Sequence, residues 1–164
     1  MTATVTEGNV THLPDPASDD AVIRQALKIL EARSRVPEWY VQNTDEVKNY
    51  LRVRLAAEHG RECLFALYLD ARYGVVTAEV LQQGILDAEA FQLRAVVQQA
   101  LVCNATSVVF AHYQPPGGED WSLADQQLSS RLVNALAPVG IRMLDYFLVG
   151  GEVDVYSFHE HGRV

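Results

Sequence analysis

Ser107-Val108-Val109-Phe110-Ala111-His112-Tyr113-Gln114-Pro115-Pro116-Gly117-Gly118, followed closely by Ser122 and Asp125, is the stretch on which the fold turns. The run from Ser107 to Ala111 is short, apolar and rich in β-formers, as a buried strand is. It ends at His112, and Pro115 to Gly118 mark the loop beyond. Ser122 then opens a helix, because Ser122 and Asp125 form the S-x-x-D pattern that satisfies the free amides of a first turn. Pro138 and Gly140 stop that helix near Ala137. Read alone, His112 is a structural histidine at a strand end, and Ser122 is a helix cap. Asp125 is a first-turn carboxylate facing the helix dipole.

Working outward, the chain alternates strands with helices. Residues 1–19 are rich in Thr, Gly, Pro, Asp and Ser and read as a disordered tail, leaving residues 20–164 as one domain. Asp19 or Asp20 caps a helix to about Arg33, with Val22, Ala26, Ile29 and Leu30 on one face. Pro37 breaks the chain, and Thr44 is the expected cap of a second helix that turns Val47, Leu51 and Leu55 inward. Leu64 to Leu69 forms a buried strand and Ala71 to Gly74 a turn. Val75 to Leu81 forms a second strand. A helix from about Phe91 to Val102 ends at Asn104. Strands at Ile141–Val149 and Val153–Phe158 close the chain through Gly150-Gly151. Such interleaving argues an α/β or α+β sheet domain.

Composition narrows the function classes. The 164 residues carry 13 basic and 21 acidic side chains, a net charge of −8. That balance argues against direct nucleic-acid binding, which needs a basic surface. The two cysteines, Cys63 and Cys103, lie in apolar runs and read as buried free thiols of a cytoplasmic protein. No Cys-x-x-Cys is present, so a zinc ribbon is excluded. No signal peptide and no apolar run of membrane-spanning length is found.

The loop resembles the His-x-His-Pro-Ser-Gly loop of RadC-like JAB/MPN (JAMM) proteins, which is followed by Ser and Asp at fixed spacing. The family positions fall without a gap on His112, Gln114, Pro115, Gly117, Ser122 and Asp125. Tyr50-Leu51-Arg52, Arg61-Glu62, Leu69-Asp70, Val139-Gly140-Ile141-Arg142, Leu144-Asp145 and Ser157-Phe158 extend the likeness from about residue 20 onward. The resemblance implies an α/β, three-layer, cytidine-deaminase-like fold with a mixed, mostly antiparallel sheet flanked by helices. The helix-hairpin-helix module of longer RadC proteins is not expected. The family's activity is that of a zinc metallopeptidase of bacterial cytoplasm. Two His and one Asp hold zinc, a Glu is the base, and a Ser stabilises the oxyanion. By position, Glu62 is the base, Ser122 the oxyanion helper, and His112, Gln114 and Asp125 the metal set.

Gln114 stands where the second His ligand belongs. A neutral amide oxygen is a harder and weaker zinc donor than imidazole nitrogen. Tyr113 replaces the usual Asn, Gln92-Leu93-Arg94-Ala95 keeps only the Arg of a His-Pro-Arg-Glu segment, and Tyr146 replaces a His. These departures imply a weak or inactive relative, a pseudoenzyme of hydrolase descent. The alternative is a non-catalytic module that binds a protein or peptide partner or assists DNA maintenance, in line with the family's association with DNA repair. A homodimer is compatible with this fold. His159-Glu160-His161 reads as a solvated tail, because neighbours on a strand alternate faces. Lys48, Arg52 and Arg54 read as a solvated helix face. Trp121 reads equally as a plug of the cleft or an exposed loop aromatic.

Overall fold

A computed structural model of the chain describes residues 21–22, 24–25, 39–56, 58, 60–115, 122–150 and 153–164. Contacts divide the chain into residues 1–35 and 36–164. In the first unit, residues 21–22 and 24–25 are helical; the rest of the expected helix to about Arg33 lies outside the described residues. The expected tail over 1–19 and Trp121 lie outside the described residues.

Among the described residues, the second unit holds three helices and a five-stranded sheet. The elements are α1 (Thr44–Ala56), β1 (Cys63–Leu69), β2 (Val75–Gln83), α2 (Leu93–Val102), β3 (Ser107–Gln114), α3 (Leu123–Leu136), β4 (Arg142–Gly150) and β5 (Val153–Ser157). A short 3-10 turn over Ala137–Val139 separates α3 from β4. The strand order is β2-β1-β3-β4-β5. β3 and β4 run parallel, joined through α3, and the other three pairings are antiparallel. The fold is therefore α/β with a mixed, mostly antiparallel sheet, consistent with the JAB/MPN-like architecture.

Burial on both faces explains the continuous apolar run of β1, all seven residues of which are buried. Leu64, Ala66 and Tyr68 face one core together with Val108 and Phe110 of β3, under α2 and α3. Phe65, Leu67 and Leu69 face the other, with Val109, Ala111 and Phe147, under α1. Each fully buried Leu or Phe stabilises the fold by about 1.5–3 kcal/mol. The inward residues of α1 are Val47, Leu51 and Leu55, as expected. Its cap lies one residue earlier than expected: Thr44 is already helical, and the Asn43 side chain accepts from the Glu46 amide at 2.9 Å.

The remaining differences are small. β3 extends two residues beyond His112, so the histidine sits inside the strand and is buried. Both cysteines are free thiols, Cys63 buried and Cys103 only half-buried. Burial, reinforced by nearby Glu58, pushes the Cys63 thiol up to about 11. The His159–His161 segment is exposed but tied down. His161 stacks on Tyr156 with ring centroids 4.0 Å apart, and Glu160 pairs with Lys48 at 2.6 Å. Arg54 pairs with Glu58 at 2.9 Å, so the basic helix face is partly neutralised.

Candidate functional site

Strand alternation puts His112 and Gln114 on the same face of β3, the face that carries Phe110 into the α2/α3 core. Glu62 immediately precedes β1, and its backbone carbonyl accepts from the Gly84 amide at 2.8 Å. His112 pairs across the ladder with Leu64, two residues beyond Glu62. The chain leaves β3, crosses the loop and enters α3 beside this sheet end. The Ser122 hydroxyl caps α3 by accepting from the Asp125 amide at 3.3 Å, and the Ser122 amide donates to Asp125 Oδ2 at 3.0 Å. This is the expected box, and it fixes the direction of the Asp125 carboxylate.

These residues meet in one hydrogen-bonded cluster. His112 Nδ1 lies 2.6 Å from Asp125 Oδ1, and His112 Nε2 lies 3.0 Å from Glu62 Oε1. The Ser122 hydroxyl donates to Asp125 Oδ2 at 2.7 Å. Tyr146, fully buried on β4, donates its hydroxyl to Asp125 Oδ1 at 2.9 Å. The Leu86 amide donates to Glu62 Oε1 at 2.8 Å. Asp125 is fully buried, His112 nearly so, and Glu62 lies closer to solvent. Among the described residues, no hydrogen bond joins the Gln114 side chain to this cluster. Glu62, His112, Ser122 and Asp125 are thus brought together, while Gln114 shares only the strand and face of His112.

Electrostatics follow from the closeness of the carboxylates. Burial works against a charged His112, but Asp125 and Glu62 outweigh it and hold the ring above its ordinary pKa. Burial likewise works against a charged Asp125, yet His112 and the two Ser122 donors hold it below the ordinary carboxylate range. Burial, then the Asp125 charge, pushes the Tyr146 hydroxyl well above its ordinary value, so it stays a donor.

A zinc ion suits this donor set poorly. Both ring nitrogens of His112 are engaged by carboxylates, and Asp125 takes two donors on each oxygen. The third position offers an amide. Among the described residues, no group of three or more His, Cys, Asp or Glu side chains is arranged to hold a metal ion. What the cluster can do chemically is hold a proton between His112 and its carboxylates and fix the start of α3 against the sheet.

Sequence reasoning noted Tyr146 only as a departure and missed its place in the cluster. A bulge on β4 decides it. Val108 pairs with Met143 but Val109 pairs with Asp145, so Leu144 is an extra residue. The extra residue shifts the alternation and puts Tyr146 on the site face opposite Phe110.

A sequence profile of the RadC-like JAB domain matches residues 41–163. The chain is 38% identical over 144 residues to the UPF0758 protein YkfG of Escherichia coli (strain K12), covering 88% of this chain and 90% of that protein. It is 35% identical over 161 residues to a UPF0758 protein of Vibrio cholerae, covering 93% and 99%. Against a UPF0758 protein of Janthinobacterium it is 40% identical over 118 residues, which spans 72% of this chain and 52% of that protein. The chain belongs to the RadC-like JAB domain family. Among the described residues, no helix is long and apolar enough to cross a membrane.

Proposed function

We propose that this chain is a degenerate RadC-like hydrolase. It retains the base, one histidine, the aspartate and the serine of a zinc peptidase site, but binds zinc weakly and has little or no amide- or isopeptide-hydrolysing activity. The observation that carries this reading is the cluster itself. Gln114 replaces a ligand of the family pattern, and the His112 and Asp125 donor atoms are already engaged by Glu62, Ser122 and Tyr146. A metal must displace those bonds before it gains its own, and one of its three protein ligands is a weak donor. Second-shell changes alone cost about 10–100-fold in affinity, and a lost ligand costs more. The same closed network favours a second reading, a non-catalytic protein-interaction module, because it leaves His112 and Asp125 no free donor atoms for chemistry.

The test is metal content. Protein purified without chelator should carry zinc well below one ion per chain and show no thermal shift on adding zinc. Gln114→His should raise zinc affinity by at least tenfold. Stoichiometric zinc in the unaltered protein would overturn the proposal.

A further inference from the structure

β2 is an edge of the sheet, and among the described residues no strand continues the sheet beyond it. At its start the outer side is bridged by Tyr40 to Gly74, and the Val75 amide donates to the Trp39 carbonyl at 2.8 Å. Pro37, two residues before Trp39, has no amide hydrogen to carry that ladder further along β2. β2 runs Val75-Val76-Thr77-Ala78-Glu79-Val80-Leu81-Gln82-Gln83, with one charge and no Lys or Pro. Short length, Lys and Pro are the usual guards of an exposed edge. Val76 and Leu81 have no partner on β1, and these bulges bend the strand but leave Thr77–Val80 regular. The opposite edge, β5, is only five residues long.

The two ends of β2 complement each other. Before it stand Tyr73, 40% exposed, and Tyr40, 38% exposed, with the Arg72 guanidinium 5.9 Å from the centre of the Tyr40 ring. After it stands Ile85, 84% exposed, followed by exposed Asp87 and Glu89. One end is aromatic and positive, the other aliphatic and negative.

We propose that β2 is a dimer edge, which pairs antiparallel with β2 of a second copy of this chain to make one continuous sheet. A two-fold axis between antiparallel strands sets the start of each against the end of the other. Ile85 then meets the partner's Tyr40 and Tyr73, and Asp87 and Glu89 approach the partner's Arg72. Symmetry makes each of these contacts twice, so the edge fits its own copy better than an unrelated strand. Glu79, at the middle of β2, comes near its own copy across the axis, and that like charge opposes the pairing. The dimer edge also adjoins the candidate site. In the turn after β2 the Gly84 amide donates to the Glu62 carbonyl at 2.8 Å, and the Leu86 amide donates to Glu62 Oε1 at 2.8 Å. The second copy therefore lies against the turn that orients Glu62.

The experiment is sedimentation velocity on the full chain over the micromolar range, with EDTA present so that zinc has no part in the result. One chain should give way to two as concentration rises, and the β2 amides should exchange hydrogen more slowly in the concentrated sample. Ala78 is exposed on β2, and Ala78→Lys should weaken the dimer at least tenfold while the dilute protein melts as before. Ile85→Ser and Arg72→Glu should each weaken it severalfold, and Glu79→Gln should tighten it severalfold. If Ala78→Lys unfolds, Ile85→Ser carries the test, since that side chain lies outside the strand and is almost wholly exposed. A single chain at every concentration would overturn the proposal, including the case in which the β2 amides are already protected by another part of the same chain. A dimer that neither Ala78→Lys nor Ile85→Ser weakens would place the interface elsewhere and overturn it equally.

Discussion

At the scale of the residue, Asp125 is the hub. Its carboxylate is fully buried and takes donors from His112, Tyr146 and Ser122. Tyr146→Phe removes one of them with almost no change of shape. Hydrogen bonds to charged groups contribute about 1.5–3 kcal/mol, so urea unfolding of this variant should show a loss of that size. An unchanged midpoint would mean that Asp125 does not need the phenol. Asp145 gives a pH dependence. Burial raises its carboxyl above the ordinary value, although Ser157 Oγ at 2.5 Å and the His159 amide at 3.0 Å work the other way. For a raised folded-state pKa, the stabilisation is complete below the unfolded value near 3.9 and is lost as pH rises through the folded value. Asp145→Asn keeps an acceptor for the amides and removes the titration. The stability difference, parent minus variant, should therefore fall between about pH 4 and the raised pKa. Parallel pH profiles for the two proteins would contradict this. The Ser122–Asp125 capping box was legible because its spacing is local, and His112 was singled out through the family resemblance. The role of Tyr146 was not, because it depends on a strand bulge.

At the scale of the element, β3 and the start of α3 carry the site, and β4 supports both. Gly150 sits at the end of the β3–β4 pair with φ +94, and a Cβ there would fall on the Gln114 carbonyl oxygen. Gly150→Ala should destabilise the protein by at least about 2 kcal/mol, through left-handed strain plus displacement of the strand end that carries Gln114. A calorimetric melt tests this, and a variant as stable as the parent would show that the strand end yields freely. The helices and strands were legible within a residue or two, since β1 is a continuous apolar run and α3 starts with its own capping box. The boundary errors share one cause. A strand stops where its neighbour stops offering hydrogen bonds, so β3 continues to Gln114 against β4 rather than ending at the histidine. The parallel pairing of β3 with β4 is likewise a non-local fact, carried by α3.

At the scale of the whole molecule, a net charge of −8 on 164 residues sets what the surface attracts. A mobility-shift assay with duplex DNA at low salt should show no complex, because few phosphates can be neutralised. A salt-sensitive shift would reveal a local basic surface that the average hides. The sequence by itself determined the alternation of strands and helices, which is written in periodicity, and its resemblance to the RadC-like family pointed to Glu62, His112, Gln114, Ser122 and Asp125. Only the tertiary structure decided that two carboxylates clasp the one histidine and that a bulge turns Tyr146 onto Asp125. Those facts depend on which faces of distant segments meet, and a shift of one residue in a strand exchanges its two faces.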